Sequence, residues 1–462
     1  MALKLGHKWR IALVVVLVLV GLYAAYRYTL HRMVEAKLDE IRKQGYPTTY
    51  RELDNKYPFP PAAENAATIY TQAFGELSER SAKNTNLPIV GMASLPQRSE
   101  PVSNEMRAAI EDYLSQHKEA LALLHRGASY QKCRYDLGLS NIPYRTTQVF
   151  GPIRQGARLL LLESILRAEN QEKELAVESI LANLKLSKSL EFPPLLLSHL
   201  VRGACEGMID YGLQRVLTRC PFEDQQLQLL SRSLLDNEST DAAAKCAVSE
   251  RCSSVGLFTT MRSLDAIRRA GDWEQLVANM AFGEEKPPSY GWGFLYYRVS
   301  GSLDMDELAY LRFQDDYLSA SQLPLAKRWP RIKQLEDQLK RFPRRYPYTR
   351  SIVFGWDREP SFGAPIKSDA RRIAGLRNAA VACACERYRL HNDSLAENLT
   401  ELVPTYLDEI PVDPFDGQPL RYKKLTKGYV VYSVGADGKD DGGAEPKHGY
   451  LPGTDVTFTV ER

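Results

Sequence analysis

An uninterrupted run of apolar and small residues near the amino terminus constrains this chain more than any other feature. The run covers residues 11–26, reads IALVVVLVLVGLYAAY, and has Lys8 and Arg10 before it and Arg27 after it. As a helix it rises about 24 Å, which is shorter than the roughly 30 Å hydrocarbon core of a bilayer. Aromatic residues at its ends and snorkelling arginines can make up the difference. We therefore expect a helix that crosses a membrane once.

Two interpretations of this run are open. The first is a permanent anchor, with residues 1–10 as a cytoplasmic tail and residues 11–30 as the transmembrane segment. The second is a secretory signal peptide cleaved after Leu22-Tyr23-Ala24, although the apolar run is long for that class. We favour the anchor, and we expect the bulk of the chain to lie outside the cytoplasm at the bacterial inner membrane.

The composition is that of a globular chain with more than one domain. Its 462 residues are 44% hydrophobic and 25% charged, and such a length exceeds one ordinary core. The net charge of +3, without a basic stripe interleaved with aromatic residues, argues against nucleic acid as a partner. Seven cysteines, an odd number without any Cys-x-x-Cys spacing, predict neither a complete disulfide framework nor thiol redox chemistry.

Helical periodicity dominates residues 31–347, which we assign to one helical domain. Its strongest block, residues 152–217, predicts two helices joined by a polar turn at Glu169-Asn170-Gln171, followed by a third helix. Paired helices with short turns are typical of α-hairpin repeats, although tetratricopeptide positions do not recur here. A further single helix, capped by Asn104, is expected over residues 104–125.

Glycine and proline residues predict a linker over residues 348–367, followed by a last domain over residues 368–462. Ser368-Asp369 can cap a helix that ends at His391-Asn392-Asp393. Its expected apolar face consists of Ile373, Leu376, Ala380, Val381, Ala384 and Tyr388. After this helix the pattern changes to period two, which predicts strands over residues 420–422, 428–434 and 455–460.

The fold class that follows is mainly α. We expect an N-terminal transmembrane helix, an α-hairpin domain that resembles helical repeats, and a small C-terminal α+β domain with an antiparallel sheet.

The last domain also carries the one stretch that reads like a motif. Its elements are Tyr388-Arg389-Leu390-His391-Asn392, Asp413-Pro414-Phe415-Asp416-Gly417, Tyr422, Ser433-Val434-Gly435-Ala436-Asp437-Gly438 and Gly442-Gly443. These elements, over about residues 368–443, resemble the globular domain of the major pseudopilin of type II secretion. The resemblance implies a helix packed on a small antiparallel sheet, with a calcium ion in the last loop.

The ligands implied by this resemblance are Ser433, Val434, Asp437, Asp440, Asp441 and Asp455. Ser433 and Val434 would contribute backbone carbonyls, whereas Asp440 or Asp441 would substitute for the more distant Asp455. Calcium prefers six to eight oxygen ligands, which this loop can supply. The alternative from the residues alone is a solvated hairpin loop, because Asp-Gly and Gly-Gly are ordinary turn sequences.

The amino terminus departs from the pseudopilin pattern. A pseudopilin carries a glutamate at the fifth position after its processing glycine, but Ile11 stands there after Gly6. We therefore expect neither processing nor assembly into a pilus. As a whole, the chain resembles uncharacterised membrane-anchored proteins of the planctomycete and verrucomicrobial kind.

The sequence gives no basis for naming a reaction. Its seven histidines form no His-Glu-x-x-His, and it has no nucleophile elbow, phosphate loop or dinucleotide fingerprint. His199, on an apolar helix, is expected to be a satisfied core histidine. The Asp413–Gly417 segment is expected to form a turn with Phe415 in the core and no chemistry.

Three functional hypotheses remain. The leading one is a non-enzymatic, membrane-anchored scaffold or binding protein with an unidentified protein partner and a C-terminal module stabilised by calcium. The second is an atypical component of a type II secretion or pilus-like machine. The third is a hydrolase with a site inside the helical domain.

Overall fold

The computed structural model describes residues 7–77, 86–138, 147–262, 299–339, 363–445 and 454–462, and these residues are mainly helical. The helices that they form are α1 His7–Lys43, α2 Tyr50–Lys56, α3 Ala66–Glu76, α4 Asn104–Gln116, α5 Lys118–Ala128, α6 Thr147–Glu169, α7 Lys173–Lys188, α8 Leu196–Arg219, α9 Asp224–Asp236, α10 Ala242–Arg262, α11 Ser302–Ser321, α12 Leu325–Leu339 and α13 Gly363–Asn392. The strands are β1 Arg421–Leu425, β2 Gly428–Ser433 and β3 Val456–Val460.

Helix α1 changes character along its 37 residues. The large apolar side chains from Ile11 to Leu22 are each at least 50% exposed. Farther along, Val34, Leu38 and Ile41 are buried, because spacings of four and three residues place them on one face. Within the described residues, α1 is the one helix long and apolar enough to cross a membrane, a property that signal sequences share.

Contacts group the chain into two compact units. The first unit comprises Met1–Leu53, Glu250–Ser319 and Gln334–Phe362, and the second comprises Asp54–Ser249, Ala320–Lys333 and Gly363–Arg462. The predicted divisions at residues 31–347, 348–367 and 368–462 follow the sequence rather than these contacts, and they stay predictions. Residues 348–362 of the predicted linker lie outside the described residues, whereas its last residues, from Gly363, belong to α13.

In the first unit, a buried carboxylate joins three helices. Asp304, at the start of α11, is 1% exposed. Its two oxygens accept hydrogen bonds from Arg27 of α1 and Arg262 of α10, each at 2.8 Å. Because a buried charge is tolerated only with charged partners, this contact holds α1 against α10 and α11.

The predicted hairpin of the second unit is confirmed. Helix α6 ends at Glu169 and α7 begins at Lys173, with Gln171 between them at a φ of 61°. Helix α8 follows, as predicted. Leu161 of α6, Ile180 of α7 and Leu213 of α8 belong to one apolar core that also includes α9, α13 and the sheet.

The single helix predicted over residues 104–125 is wrong in one respect, because it breaks at His117. This residue has φ −112° and ψ 22°, outside the helical region. Its Nδ1 lies 2.8 Å from the carbonyl oxygen of Tyr113, the acceptor that its own amide would use in an unbroken helix. The amino-terminal cap is the Ser103 hydroxyl, which accepts from the Met106 amide, rather than Asn104.

Helix α13 begins at Gly363, earlier than the predicted cap at Ser368-Asp369. Pro365 is tolerated because the first turn of a helix does not need its amide hydrogen. The predicted apolar face is buried at Ile373, Leu376, Ala380, Val381 and Ala384. Burial extends beyond that face, because every side chain from Ala379 to Cys385 is at most 1% exposed. These short side chains let α8, α9 and the sheet surround the helix.

The three predicted strands are confirmed, and they form an antiparallel sheet in the order β1-β2-β3. Tyr422 pairs with Val431, which pairs with Phe458 on its other side. The Tyr429 hydroxyl donates to the Ala382 carbonyl of α13 at 3.0 Å, so one face of the sheet packs on this helix. Every residue of β2 is buried, which means that the other face is covered as well.

Candidate functional site

The loop with the predicted calcium ligands folds over the outer face of the sheet. Gly443 has a φ of 72°, and a Cβ there would lie 2.9 Å from the Tyr432 ring and 3.0 Å from Val430. Gly435 has a φ of 68°, and its Cβ would lie 2.2 Å from the Thr454 carbonyl oxygen. Glycine is needed at both positions, because neither the backbone conformation nor the space admits a side chain.

Asp455 is the buried carboxylate of this loop and is 1% exposed. Its Oδ1 accepts a hydrogen bond from the Asp441 amide at 3.3 Å, and its Oδ2 accepts one from the Gly443 amide at 2.8 Å. Burial raises the pKa of Asp455, the two amides lower it, and the nearby Asp441 and Asp440 raise it further. Asp455 therefore fastens the loop to the start of β3.

The other three predicted aspartate ligands are exposed. The Asp437 carboxylate accepts from the Lys439 amide at 3.0 Å, and that of Asp440 accepts from the Gly442 amide at 2.9 Å. These are local turn contacts. Asp440 also lies 3.4 Å from the Arg421 guanidinium.

Ser433 and Val434 serve a different carboxylate, Asp413, which is fully buried. Asp413 Oδ1 accepts from the Ser433 hydroxyl at 2.8 Å and from the Phe415 amide at 2.9 Å. Its Oδ2 accepts from the Val434 amide at 2.9 Å and from Arg421 at 3.0 Å. Burial raises the pKa of Asp413, and these donors oppose the rise.

The role predicted for the Asp413–Gly417 segment needs correction. Phe415 is only partly buried, whereas Asp413, two residues earlier in the chain, is buried in the core. A local signal existed, because an aspartate before a turn accepts the amide two residues later. The contacts of Asp413 with Ser433 and Val434 cross 20 and 21 residues of sequence and required the folded sheet.

The predicted metal ligands thus divide into three groups. Ser433 and Val434 contact Asp413, Asp455 accepts loop amides with Asp440 and Asp441 nearby, and Asp437 stands at the exposed turn. Within the part of the chain that the structure describes, no three His, Cys, Asp or Glu side chains stand ready to hold a metal ion. A calcium ion would need Asp437, Asp440 and Asp441 to turn towards Asp455.

A buried charge network lies between α8 and α13. Arg372 of α13 contacts Glu206 of α8 at 3.0 Å and Asp369 at 3.0 Å, and Arg202 contacts Glu206 at 2.8 Å. His199 Nε2 lies 3.2 Å from Asp369 Oδ1, which confirms His199 as a satisfied core histidine. Burial opposes ionisation of both acids, but their partners outweigh it and lower the pKa of Glu206 and of Asp369.

The cavity beside His199 is small. It measures about 20 Å³ and is lined by His199, Arg202 and Cys246 among others. Such a volume holds one water molecule and no organic substrate. The position of Asp369, inside α13 and paired with His199 and Arg372, also replaces its predicted role as a helix cap.

A larger cavity of about 400 Å³ lies in the second unit, between the end of α2, the segment after α5 and the last turn of α7. Tyr57, Tyr70, Tyr130 and Phe192 contribute aromatic walls. The rings of Tyr57 and Phe192 have centroids 5.2 Å apart. Gly127 lets the Tyr70 ring sit against α5, because a Cβ there would lie 2.4 Å from it.

Cationic side chains from three segments line this cavity. They are Lys56, Lys132, Arg134, Lys185 and Lys188, and Glu191 is the one acid among the described lining residues. Lys132 is paired with Glu64 at 2.8 Å, and Arg134 is paired with Asp54. No pattern in the sequence indicates this cluster, since its cations are far apart along the chain and occur in ordinary helix ends and loops.

Cys133 is the thiol of the cavity. Burial raises its pKa to about 12, although Tyr135 and Ser189 donate hydrogen bonds that lower it. The thiol is therefore protonated at neutral pH and is a poor nucleophile. No histidine occurs among the described residues that line the cavity, so the thiol has no general base there.

Comparison with known proteins adds no relative. No family model matches the chain, and no curated protein or solved structure matches it. The resemblance to the pseudopilin globular domain therefore stays a prediction.

Proposed function

We propose that this chain is a single-pass protein of the bacterial inner membrane that holds a ligand-binding helical body outside the cytoplasm. The observation that carries the binding role is the 400 Å³ cavity with aromatic walls and cationic side chains. The protonated Cys133 thiol and the absence of histidine among the described lining residues favour binding over catalysis. A protein partner is also part of this proposal.

The contacts of α1 favour a retained anchor over a cleaved signal. Its apolar half is exposed, and protein contacts begin at Tyr23, whose hydroxyl donates to the Val299 carbonyl. Gly301 has a φ of 87°, and the Leu30 side chain packs closely against it. A Cβ at position 301 would lie 2.8 Å from that side chain. Cleavage after Ala24 would remove Tyr23 and leave the contacts at Arg27 and Leu30 on a fraying helix end.

Mass spectrometry of the intact protein after membrane extraction tests the anchor. We expect to find the full chain, and we expect it to stay in the membrane fraction after alkaline washing. Protease added outside spheroplasts should digest it. A soluble chain that starts after Ala24 would instead establish a signal peptide. A chain that starts after Gly6 would favour the alternative, a component of a pilus-like machine.

We also propose that calcium stabilises the C-terminal loop. The supporting observation is that Asp440 and Asp441 lie near the buried Asp455 in one glycine-rich loop. The test is thermal melting of the full chain in calcium, in magnesium and in chelator. Calcium at a hundredfold over its dissociation constant should add about 2.7 kcal/mol. An equal melting temperature in all three conditions, or a calcium shift that persists in Asp437→Ala, would reject the proposed ligand set.

The hydrolase alternative has one supporting observation, the contact between His199 and Asp369. The cavity at this pair has room for about one water molecule. We therefore do not propose a hydrolase.

A further inference from the structure

We infer that the 400 Å³ cavity of the second unit binds a small organic anion with a planar apolar body. This inference deepens the proposed binding function and rests on it. The cavity walls comprise the end of α2, the segment after α5 and the last turn of α7, so three separate stretches of chain contribute to one site.

The charge of the cavity differs from that of the chain. The whole chain is nearly balanced, with 60 basic and 57 acidic residues. The described lining of the cavity has five cationic side chains and one acidic side chain, Glu191. Two of the cations, Lys132 and Arg134, are paired with the acids Glu64 and Asp54. The lining is therefore more cationic than the chain as a whole, which favours an anionic ligand.

Arg134 provides donors that no atom of the described residues accepts. The residue is 3% exposed, and its guanidinium lies 3.9 Å from the centre of the Phe59 ring. Only one of its terminal nitrogens reaches Asp54, while Nε and Nη1 have no acceptor within the described part of the chain. Buried donors without acceptors are costly, so a ligand oxygen that reaches them through a shift of the Arg134 side chain would remove a penalty as well as form a bond.

Two lysines of α7 are among the lining residues of the cavity and favour negative charge. Lys185 is exposed and Lys188 is partly buried on the last turn of α7. Lys188 already donates to the Asp236 carbonyl at 2.8 Å, which holds it in place. Aromatic walls alone could also attract a cation through their faces. The two lysines in the lining repel a cation, which favours an anion.

The aromatic walls of the cavity also indicate the shape and polarity of the ligand. The rings of Tyr57, Tyr70, Tyr130 and Phe192 are flat apolar surfaces. A volume of about 400 Å³ falls within the range of sites for small organic ligands. A planar apolar body packed against the aromatic wall, with its anionic group towards Arg134 and the lysines, satisfies both features.

The experiment uses the full chain in nanodiscs of zwitterionic lipid, with empty nanodiscs as the blank. Isothermal titration compares three probes of one shape: naphthalene-2,6-dicarboxylate, the neutral dicarboxamide and the cationic bis(aminomethyl) analogue. We expect the dianion to bind at least about tenfold more tightly than the amide, with an affinity that falls as salt rises.

A matched pair of variants assigns the binding to the cavity. Lys185→Gln combined with Lys188→Gln should weaken dianion binding about tenfold, at a few-fold per exposed charge. Lys118→Gln removes an exposed lysine of α5 outside the cavity and should leave affinity unchanged. Equal weakening by both variants would show that general surface charge binds the probe, and it would overturn the site.

The outcomes separate the inference from the proposed function. Equal affinity for the dicarboxylate and the dicarboxamide, lost when Tyr130→Ala removes one aromatic wall of the cavity, would overturn the anion and keep the binding role. Tighter binding of the cationic bis(aminomethyl) analogue than of the dicarboxylate would also overturn the anion and keep the binding role. No heat with any of the three probes would overturn both.

Discussion

At the residue scale, Asp413 organises the C-terminal region. One carboxylate accepts from two amides, one hydroxyl and one guanidinium, and it joins the turn at Phe415 to the end of β2. We predict that Asp413→Ala lowers the free energy of unfolding by about 3 kcal/mol, because it leaves buried donors without an acceptor. Urea unfolding in chelator measures this.

The control for Asp413 is an aspartate of the same region with one local contact. Asp437→Ala should change stability by less than about 0.5 kcal/mol in chelator, because Asp437 is exposed. Similar losses in the two variants would show that Asp413 is not the organising group.

Asp210 of α8 makes stability depend on pH. Its Oδ1 has no hydrogen-bond partner among the residues that the structure describes, and burial raises its pKa to about 7, while Arg371 and Arg98 oppose the rise. The pKa of Asp210 is higher in the folded state than in the unfolded state. The stability associated with the protonated carboxyl is therefore fully present below about pH 4 and is lost as the pH rises through 7. Between pH 5 and pH 8 the loss is about 2 kcal/mol.

Asp210→Asn should remove this dependence, because the amide does not ionise. We predict that the variant loses about 2 kcal/mol less stability than the native chain between pH 5 and pH 8. Urea unfolding at the two pH values is the measurement. Parallel losses in both proteins would place the ionisation elsewhere.

At the element scale, α8 contains two glycines with opposite roles. A Cβ at Gly212 would lie 2.0 Å from Leu161 of α6, whereas Gly207 has nothing within 4 Å. We predict that Gly212→Ala lowers stability by about 1–3 kcal/mol through overpacking. Gly207→Ala should raise it by up to about 1 kcal/mol, because alanine favours the helix.

Thermal melting of both α8 variants is the measurement. If Gly212→Ala were as stable as Gly207→Ala, α6 and α8 would not approach as closely as the contact with Leu161 requires.

Among the helices, the spacing of apolar residues predicted some elements correctly and others incorrectly. The pattern predicted α6, α7 and α8 because each has enough spaced apolar residues to define a helix. It underestimated the burial of α13, because alanine and cysteine between Ala379 and Cys385 are short and look neutral, although they allow close packing on every side. It missed the break at His117, which depends on one ring contacting a carbonyl of its own helix.

At the scale of the whole molecule, the C-terminal region is part of the core of the second unit. Helix α13 packs on α8 and α9 in that core. The Thr459 amide of β3 donates to Gln214 of α8 at 3.1 Å, and Arg462 donates to the Leu217 carbonyl at 2.7 Å. Separation would expose the apolar residues of α13 and remove Glu206 of α8, one of the two acids that contact Arg372.

We therefore predict that a fragment of residues 363–462 does not fold cooperatively alone. It should melt without a sharp transition and bind a hydrophobic dye, because the α8 and α9 surfaces are missing. Co-expression with residues 54–333 should restore a sharp transition. A cooperative melt of the fragment alone would instead support the separate domain predicted over residues 368–462.

The sequence by itself determined the local features of this protein. An apolar run of sufficient length predicts the anchor helix, 3.6-residue spacing predicts the hairpins, and period-two alternation predicts the strands, because each depends on neighbours in the chain. The glycine-rich turns after Ser433 were evident for the same reason.

Only the tertiary structure decided which side chains meet. Asp413 reaches Ser433, Arg372 of α13 reaches Glu206 of α8, and Arg134 joins Lys185 around one cavity. Each of these contacts joins residues that are distant in sequence, and a single sequence carries no record of such distances. The physical reason is that burial and charge pairing depend on packing between elements, whereas periodicity describes one element at a time.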